Sequence, residues 1–128
     1  MRKKAIALAI ALIAVAAPAL AAPAKCDGVQ ATIVGTNGTN TIQGTNGRDV
    51  IVAKGGDDNI TSRGGRDLIC GGSGSDFVQG GAGADSAFGG DGPDSMFGGA
   101  GSDAAVGNGG FDHCHQFEEY NCDHGDDG

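Results

Sequence analysis

Acidic residues recur at a fixed spacing through most of this chain and are its clearest chemical feature. Nine consecutive blocks of nine residues begin at Gly35 and run without insertion or deletion. The sixth residues of these blocks are Asn40, Asp49, Asp58, Asp67, Asp76, Asp85, Asp94, Asp103 and Asp112. Carboxylates and backbone carbonyls are the oxygen ligands of Ca²⁺, which takes about six to eight of them. The spacing therefore predicts one candidate cation ligand in each block.

The other positions of the block indicate how those carboxylates are held. The fourth residue is glycine in all nine blocks, and glycine permits the positive φ angles of tight turns. The eighth residues are Ile42, Ile51, Ile60, Ile69, Val78, Ala87, Met96, Ala105 and Cys114. Each block therefore predicts a turn and then a very short strand whose middle side chain faces inward. Because one such strand cannot bury its side chain alone, stacked copies must share a thin core between two parallel sheets.

The blocks resemble the RTX, or hemolysin-type, calcium-binding nonapeptide repeat, whose pattern is GGxGxDxUx. Good examples are GGSGSDFVQ at 71–79 and GGAGSDAAV at 98–106. The resemblance covers residues 35–115 and is strongest from 71 to 112. It implies an all-β fold, a right-handed parallel β-roll (a β-solenoid) with two short-strand sheets. Two repeats would make one coil, and calcium would lie between stacked turns.

Stacking of alternate blocks sorts the sixth residues into two columns. One column contains Asp49, Asp67, Asp85 and Asp103, and the other contains Asn40, Asp58, Asp76, Asp94 and Asp112. Neighbouring aspartates predict three calcium sites in each column, and Asn40 with Asp58 predicts a weaker seventh site. Aspartate also favours turns without any metal. However, columns of uncompensated carboxylates one coil apart would repel each other, so we favour calcium.

Arginines modify this expectation in the upstream turns, which contain Arg48, Arg63 and Arg66. Their charge can partly replace calcium near Asp49 and Asp67. We therefore expect the sites from residue 76 onward to be the best ones. Calcium modules of extracellular proteins bind with a Kd of about 10⁻⁴ to 10⁻³ M, and we expect a similarly modest affinity here.

The N-terminal segment is typical of a secretory signal peptide. Arg2, Lys3 and Lys4 precede an apolar run over 5–17, and small residues follow Pro18. Residues 1–22 are predicted to be a cleaved signal peptide, because the apolar run is too short for a membrane span. Cleavage after Ala21, Ala22 or Ala24 fits the small residues there equally well. Without those three cations the chain keeps 5 basic and 16 acidic residues, a net charge of −11. Such a chain needs counter-cations and is a poor partner for nucleic acid or anionic membranes.

The predicted organisation of the secreted, extracellular chain is an N-terminal cap over 23–34, a β-roll over 35–115 and a C-terminal cap or tail over 116–128. Its four cysteines suggest two disulfides, since exported chains meet oxidising conditions. Cys114 and Cys122 lie eight residues apart, close enough for a local bridge. Cys26 with Cys70 is then the favoured second pair, although spacing alone leaves other pairings open.

The histidines of the C-terminal segment raise a zinc alternative. His113, His115 and His124 lie near Cys114 and Cys122, and these residue types bind zinc. On a strand, however, His113 and His115 point to the face opposite Cys114. We therefore favour a disulfide over a zinc site.

One outer face of the predicted β-roll is unusually apolar. Its outward residues are Val50, Val52, Leu68, Cys70, Ser86, Phe88, Ala104 and Val106. Either the chain termini pack over this face, or it mediates self-association or binds a protein partner.

The function expected from these observations is that of a secreted calcium-binding repeat protein, a structural or interaction module that folds on Ca²⁺. We expect no enzymatic activity, because neither a G-x-S-x-G elbow nor an H-E-x-x-H motif occurs. One alternative is a surface-adhesive or ice-binding solenoid, although the upstream threonines form no regular two-column array. Another is a separated module of a secreted enzyme or toxin.

Overall fold

The computed structural model describes residues 22–122 and 124–125, and all regular structure in them is β-strand. The predicted signal peptide lies outside these residues except for residue 22. The predicted C-terminal segment is described up to residue 122 and at 124–125. In this part of the chain, no helix is long and apolar enough to cross a membrane.

Two six-stranded parallel sheets form the body of the protein. The odd sheet contains β3 (Ile33–Val34), β5 (Val50–Val52), β7 (Leu68–Ser73), β9 (Ser86–Asp91), β11 (Ala104–Gly109) and β13 (Glu119–Asn121). The even sheet contains β4 (Thr41–Gln43), β6 (Asn59–Thr61), β8 (Phe77–Ala82), β10 (Ser95–Ala100), β12 (His113–His115) and β14 (His124–Gly125). In both sheets the strands follow each other in chain order.

The strand register shows that two repeats make one coil. Ile51 pairs with Ile69, and Val78 pairs with Met96, so paired residues within the repeats are 18 apart. The chain therefore alternates between the two sheets and advances by one strand in each sheet per coil. This arrangement confirms the predicted all-β parallel β-roll.

The core is the thin layer between the two sheets. It consists of the inward side chains at the eighth position of each repeat, from Ile42 to Cys114, all of them buried. Ala53 also belongs to this core, and Ile33 and Phe117 pack against it from the two ends. The pattern that predicted inward aliphatic residues is therefore confirmed at every repeat.

The predicted strand length is correct for some strands and wrong for others. Strands β4, β5, β6 and β12 have three residues, as the repeat suggested. Strands β7 to β11 have six, because pairing continues into the first three residues of the next repeat. Gly72 shows the reason, since its φ is 94° and a Cβ there would overlap the carbonyl of Lys54. Without a side chain, the backbone continues the ladder in close contact with the preceding coil.

The N-terminal segment covers part of the apolar outer face. Strands β1 (Lys25–Cys26) and β2 (Val29–Gln30) form an antiparallel hairpin, and β1 lies against β5 and β7. A disulfide joins Cys26 to Cys70, and Val50 beneath the hairpin is only 4% exposed. Packing of a terminus over this face, one of the two predicted explanations, is therefore found in its upstream part.

The C-terminal segment continues the solenoid beyond the last repeat. Strand β13 pairs with β11, and β14 pairs with β12, so each sheet gains one strand from residues outside the repeats. Phe117 is partly buried against the core, whereas Tyr120 is 48% exposed. A disulfide joins Cys114 in β12 to Cys122, which directly follows β13, and closes the loop between these two strands.

Candidate metal sites

The structure places the repeat aspartates in the two columns that the sequence predicted. In each column, the backbone N–H of one aspartate donates a hydrogen bond to Oδ1 of the aspartate 18 residues later. The donor–acceptor distance is 2.7 Å from Asp49 to Asp67 and 2.9 Å from Asp76 to Asp94. The same contact recurs from Asp58, Asp67, Asp85 and Asp94. From Asp58 onward, each repeat carboxylate is therefore fixed to the backbone of the coil before it.

The second oxygen of most of these carboxylates has no hydrogen-bond partner. All eight repeat aspartates are buried, with exposed fractions of 1–4%. Within the described residues, six of their Oδ2 atoms are buried and accept no hydrogen bond, those of Asp58, Asp67, Asp76, Asp85, Asp94 and Asp103. A buried, unpartnered carboxylate oxygen is unfavourable, so each of these atoms requires either a proton or a cation.

Burial raises the pKa of these carboxyl groups. Desolvation is the largest cause in every case, and neighbouring carboxylates in the column add to it. The pKa of Asp76 rises to about 6, and those of Asp85 and Asp94 rise to about 7. Burial also raises the pKa values of Asp58, Asp67 and Asp103. In the absence of metal, the stacked turns therefore resist ionisation at neutral pH.

Backbone carbonyl oxygens lie near the unpartnered carboxylate oxygens. A Cβ placed on Gly71 would lie 2.6 Å from Asp76 Oδ2 and 2.7 Å from the carbonyl oxygen of Gly89. At Gly80, the same two distances are 2.7 Å to Asp85 Oδ2 and 2.7 Å to the Gly98 carbonyl oxygen. The first glycine of the repeat thus leaves a space where a carboxylate and a carbonyl of the next coil meet.

These oxygen donors fit calcium better than a transition metal. In the described residues, no three His, Cys, Asp or Glu side chains converge on one point, so carbonyls must complete the coordination of any ion. Carboxylates with carbonyls form the donor set of Ca²⁺. The residues that would hold calcium are the column neighbours, with Asp76 and Asp94, or Asp85 and Asp103, as the clearest pairs.

The two most upstream turns satisfy their sixth residue without a metal. The N–H of Thr45 donates to Asp49 Oδ2 at 2.7 Å, and the Thr45 hydroxyl lies 3.1 Å from Oδ1. Similarly, the N–H of Thr36 donates to Asn40 Oδ1 at 2.7 Å. Asn40 and Asp49 therefore already have partners in their own turns. By contrast, in the described residues, Oδ2 of Asp58 and of Asp67 is unpartnered, like that of four downstream aspartates.

The charge of Arg63, with those of Arg48 and Arg66, was predicted to replace calcium partly near Asp49 and Asp67, but the contact of Arg63 is with another residue. Arg63 Nη2 donates to Oε1 of Gln43 at 2.7 Å, so its charge meets a neutral amide. Ser62 distinguishes the turn that contains Asp67 from the downstream turns. Its hydroxyl donates to the carbonyl of Gly80 at 2.7 Å. This hydroxyl occupies the space that the first glycine leaves open in the downstream repeats.

The cysteines are paired as the sequence favoured, Cys26 with Cys70 and Cys114 with Cys122. The pairing of Cys114 and Cys122 removes both thiolates from the alternative zinc site. His113 is exposed on the outer face of β12, and the ring of His115 stacks on that of Phe97 with centroids 4.9 Å apart.

One acidic residue of the columns was missed by the sequence analysis. The N–H of Asp103 donates to Oε2 of Glu118 at 2.5 Å, so Glu118 takes the place of the next repeat aspartate. It lies 15 residues after Asp103, and the search for a period of nine does not find it. The feature that could have identified Glu118 is its position directly before a strand, which it shares with the sixth residue of every repeat.

A parallel solenoid with columns of buried aspartates in its turns is typical of a metal-binding β-roll. Comparison with known families identifies the family of this β-roll. The family model of the RTX calcium-binding nonapeptide repeat matches the chain four times, over residues 34–69, 43–78, 71–105 and 79–113. The chain therefore belongs to this family, and it is a calcium-binding repeat module. No curated protein and no solved structure matched the chain in the corresponding comparisons.

Proposed function

We propose that this chain is a secreted calcium-binding module that folds when calcium enters the spaces between its coils. The observation that carries the proposal is the set of six buried Oδ2 atoms without hydrogen-bond partners in the described residues. Ionised carboxylates are strongly destabilising in such places unless a cation accompanies them. Bound calcium supplies the positive charge that two stacked carboxylates share.

Calcium binding and folding are coupled in this proposal because the sites do not exist in the unfolded chain. Each site joins residues 18 apart, and only the stacked coils bring them together. An ion that binds only the folded state stabilises it by about 2.7 kcal/mol per site at 100 times its Kd. The downstream part of the core offers less compensation without metal, since Ala87 and Ala105 bury only methyl groups.

The proposed location is extracellular, and the proposed role is structural or interactive, without catalysis. Export is supported by the sequence pattern of residues 1–22 and by two disulfides, which persist in oxidising compartments. A role without catalysis is supported by the position of the acidic groups. They lie buried inside turns, where they can hold ions but do not face a substrate.

The experiment that tests this proposal is far-ultraviolet circular dichroism of the purified chain at neutral pH. We expect a disordered spectrum in EGTA and a β spectrum after excess calcium is added, with full reversal on chelation. Magnesium is the control, because it requires smaller octahedral sites and gives up its water reluctantly. An unchanged β spectrum in EGTA would contradict folding on calcium.

A further inference from the structure

Glu118 occupies the position of a repeat aspartate although it lies outside the repeats. In the odd sheet, Ser86 pairs with Ala104, and Ala104 pairs with Glu119. The first two of these residues directly follow Asp85 and Asp103, and Glu119 directly follows Glu118. By register, Glu118 is therefore the next member of the column that contains Asp49, Asp67, Asp85 and Asp103.

Two backbone contacts of this position match those of a repeat aspartate, although the side chain of Glu118 is exposed and those of the repeat aspartates are buried. The Asp103 N–H donates to Glu118 Oε2 at 2.5 Å, as the Asp85 N–H donates to Asp103 Oδ1 at 2.8 Å. The carbonyl of Asp103 accepts from the N–H of Glu119 at 3.2 Å, as that of Asp85 accepts from the N–H of Ala104 at 2.9 Å. It also accepts from the N–H of Glu118 at 3.1 Å, a contact particular to this last turn. The last turn is three residues shorter than a repeat turn, and glutamate has one more methylene than aspartate with which to reach the column.

A second observation indicates that this position faces a cation. Asp103 is 2% exposed, and its Oδ2 has no hydrogen-bond partner in the described part of the chain. A Cβ on Gly98 would lie 2.8 Å from this oxygen and in direct contact with the carbonyl oxygen of Gln116. The unpartnered oxygen therefore points to the side of the column that carries Gln116 and Glu118.

The terminal turn is held in place by covalent and apolar contacts. Glu118 lies in the loop that the Cys114–Cys122 disulfide closes, and neighbouring Phe117 is partly buried against the core. The disulfide restricts the turn even before any ion binds, and the packing of Phe117 holds it further in the folded chain. A ligand whose position is restricted in this way loses less entropy on binding.

We propose that Asp103, Glu118 and the carbonyl of Gln116 form an additional calcium site at the downstream end of this column. The inference rests on the proposed function, because it assumes that the repeat sites bind calcium. It extends the metal-binding columns by one site, built partly from residues outside the nonapeptide repeats.

The test compares the variant Glu118→Gln with the control Glu119→Gln. Glutamine keeps an oxygen that can accept the Asp103 N–H but loses the charge. Glu119 is the neighbouring residue and is exposed like Glu118, but the N–H of Asp103 donates to Glu118. Equilibrium dialysis at saturating calcium counts the bound ions, and circular dichroism verifies the fold of each variant. We expect Glu118→Gln to bind one calcium fewer per chain than the wild type and Glu119→Gln to bind the wild-type number.

Terbium luminescence offers a second measurement that reports on this site directly. Tyr120 is the only tyrosine of a chain without tryptophan, and it lies two residues after Glu118. Excitation of Tyr120 should therefore sensitise a terbium ion bound at the proposed site more strongly than ions farther along the columns. We expect most of this emission to be lost in Glu118→Gln and retained in Glu119→Gln.

The two proposals fail in different ways. If Glu118→Gln keeps both the wild-type number of calcium ions and the sensitised emission, the additional site is wrong while the repeat sites stand. The same conclusion follows if the wild type binds calcium but shows no emission sensitised by Tyr120. If the wild type binds no calcium at all, the proposed function itself is wrong.

Discussion

The backbone N–H of Asp76 donates a hydrogen bond to Oδ1 of Asp94 at 2.9 Å, while Oδ2 of Asp94 has no partner in the described residues. This one relationship contains both halves of the proposed mechanism. One oxygen ties each coil to the coil before it, and the other is left for a cation. Repetition of the relationship makes folding and metal binding interdependent.

Replacement of Asp94 by asparagine should remove calcium binding on both sides of that residue. Asp94 lies between Asp76 and Asp112 in its column, so Asp94→Asn should lower the number of bound ions by up to about two. The calcium concentration at the folding midpoint should rise. Isothermal titration calorimetry and circular dichroism measure these two quantities.

Asp91 provides a matched control for this substitution. It lies in the same turn as Asp94, but its side chain is exposed. Asp91→Asn makes the same change of charge and should leave the number of bound ions unchanged. Equal effects of the two substitutions would show that net charge, and not the buried column, determines binding.

Without calcium, the folded state should be favoured by acid and lost as the pH rises. The pKa values of about 6 for Asp76 and about 7 for Asp85 and Asp94 lie above the ordinary value of 3.8. The folded state therefore binds more protons than the unfolded state between about pH 4 and pH 7. The loss of folding free energy caused by ionising these buried carboxyl groups is absent below that window and complete above it. Circular dichroism in EGTA should therefore show less β structure as the pH rises through this range.

Calcium should reverse this dependence, because calcium and protons compete for the same carboxylates. Calcium affinity measured by calorimetry should therefore increase as the pH rises toward 7 and above. A β signal in EGTA that grows as the pH rises from 4 to 7 would contradict the claim that burial raises the pKa values of these aspartates.

Replacement of Gly83 by alanine should prevent close stacking of the coils. Gly83 has a φ of 111°, and a Cβ there would overlap the carbonyl of Gly65. The left-handed conformation costs an alanine about 1–2 kcal/mol, and the overlap adds a similar amount. Urea unfolding in saturating calcium should therefore show a loss of at least about 2 kcal/mol.

Gly38 is the control, because it occupies the same position of its repeat at the upstream end. A Cβ there would meet only the Thr36 hydroxyl at 3.8 Å, and φ is not positive. Gly38→Ala should change the free energy of unfolding by less than about 0.5 kcal/mol. Similar losses for the two variants would argue against coil contact as the cause.

The disulfide between Cys26 and Cys70 should contribute more to stability than the one between Cys114 and Cys122. The first pair closes a separation of 44 residues and the second a separation of 8. Loop closure predicts about 4 kcal/mol for the longer loop and between about 2 and 3 kcal/mol for the shorter one. Urea unfolding of the two double serine variants in calcium tests this order, and the reverse order would contradict it.

The repeat made the two columns and the core predictable. A fixed period of nine assigns Asp76 and Val78 to a turn and an inward strand position, and stacking of alternate blocks then defines their neighbours. The strand length was less predictable, because pairing of Gly72 depends on contact with Lys54 in the preceding coil. Such contacts between coils do not follow from the composition of one repeat.

Particular contacts near the ends of the roll were not predicted. Glu118 joins the column through a shorter turn, so its spacing from Asp103 differs from that of the repeats. At the upstream end, a weaker site near Asp49 was expected from arginine charge, whereas the structure shows Thr45 donating to its carboxylate. A threonine in the second position of the repeat is the local feature that distinguishes this turn.

Calcium uptake by the purified chain at neutral pH is the measurement that most directly tests whether ions neutralise the stacked aspartates. Equilibrium dialysis at millimolar calcium should show several ions bound per chain, about six from the repeat columns. Binding of no calcium under these conditions would contradict the proposed mechanism.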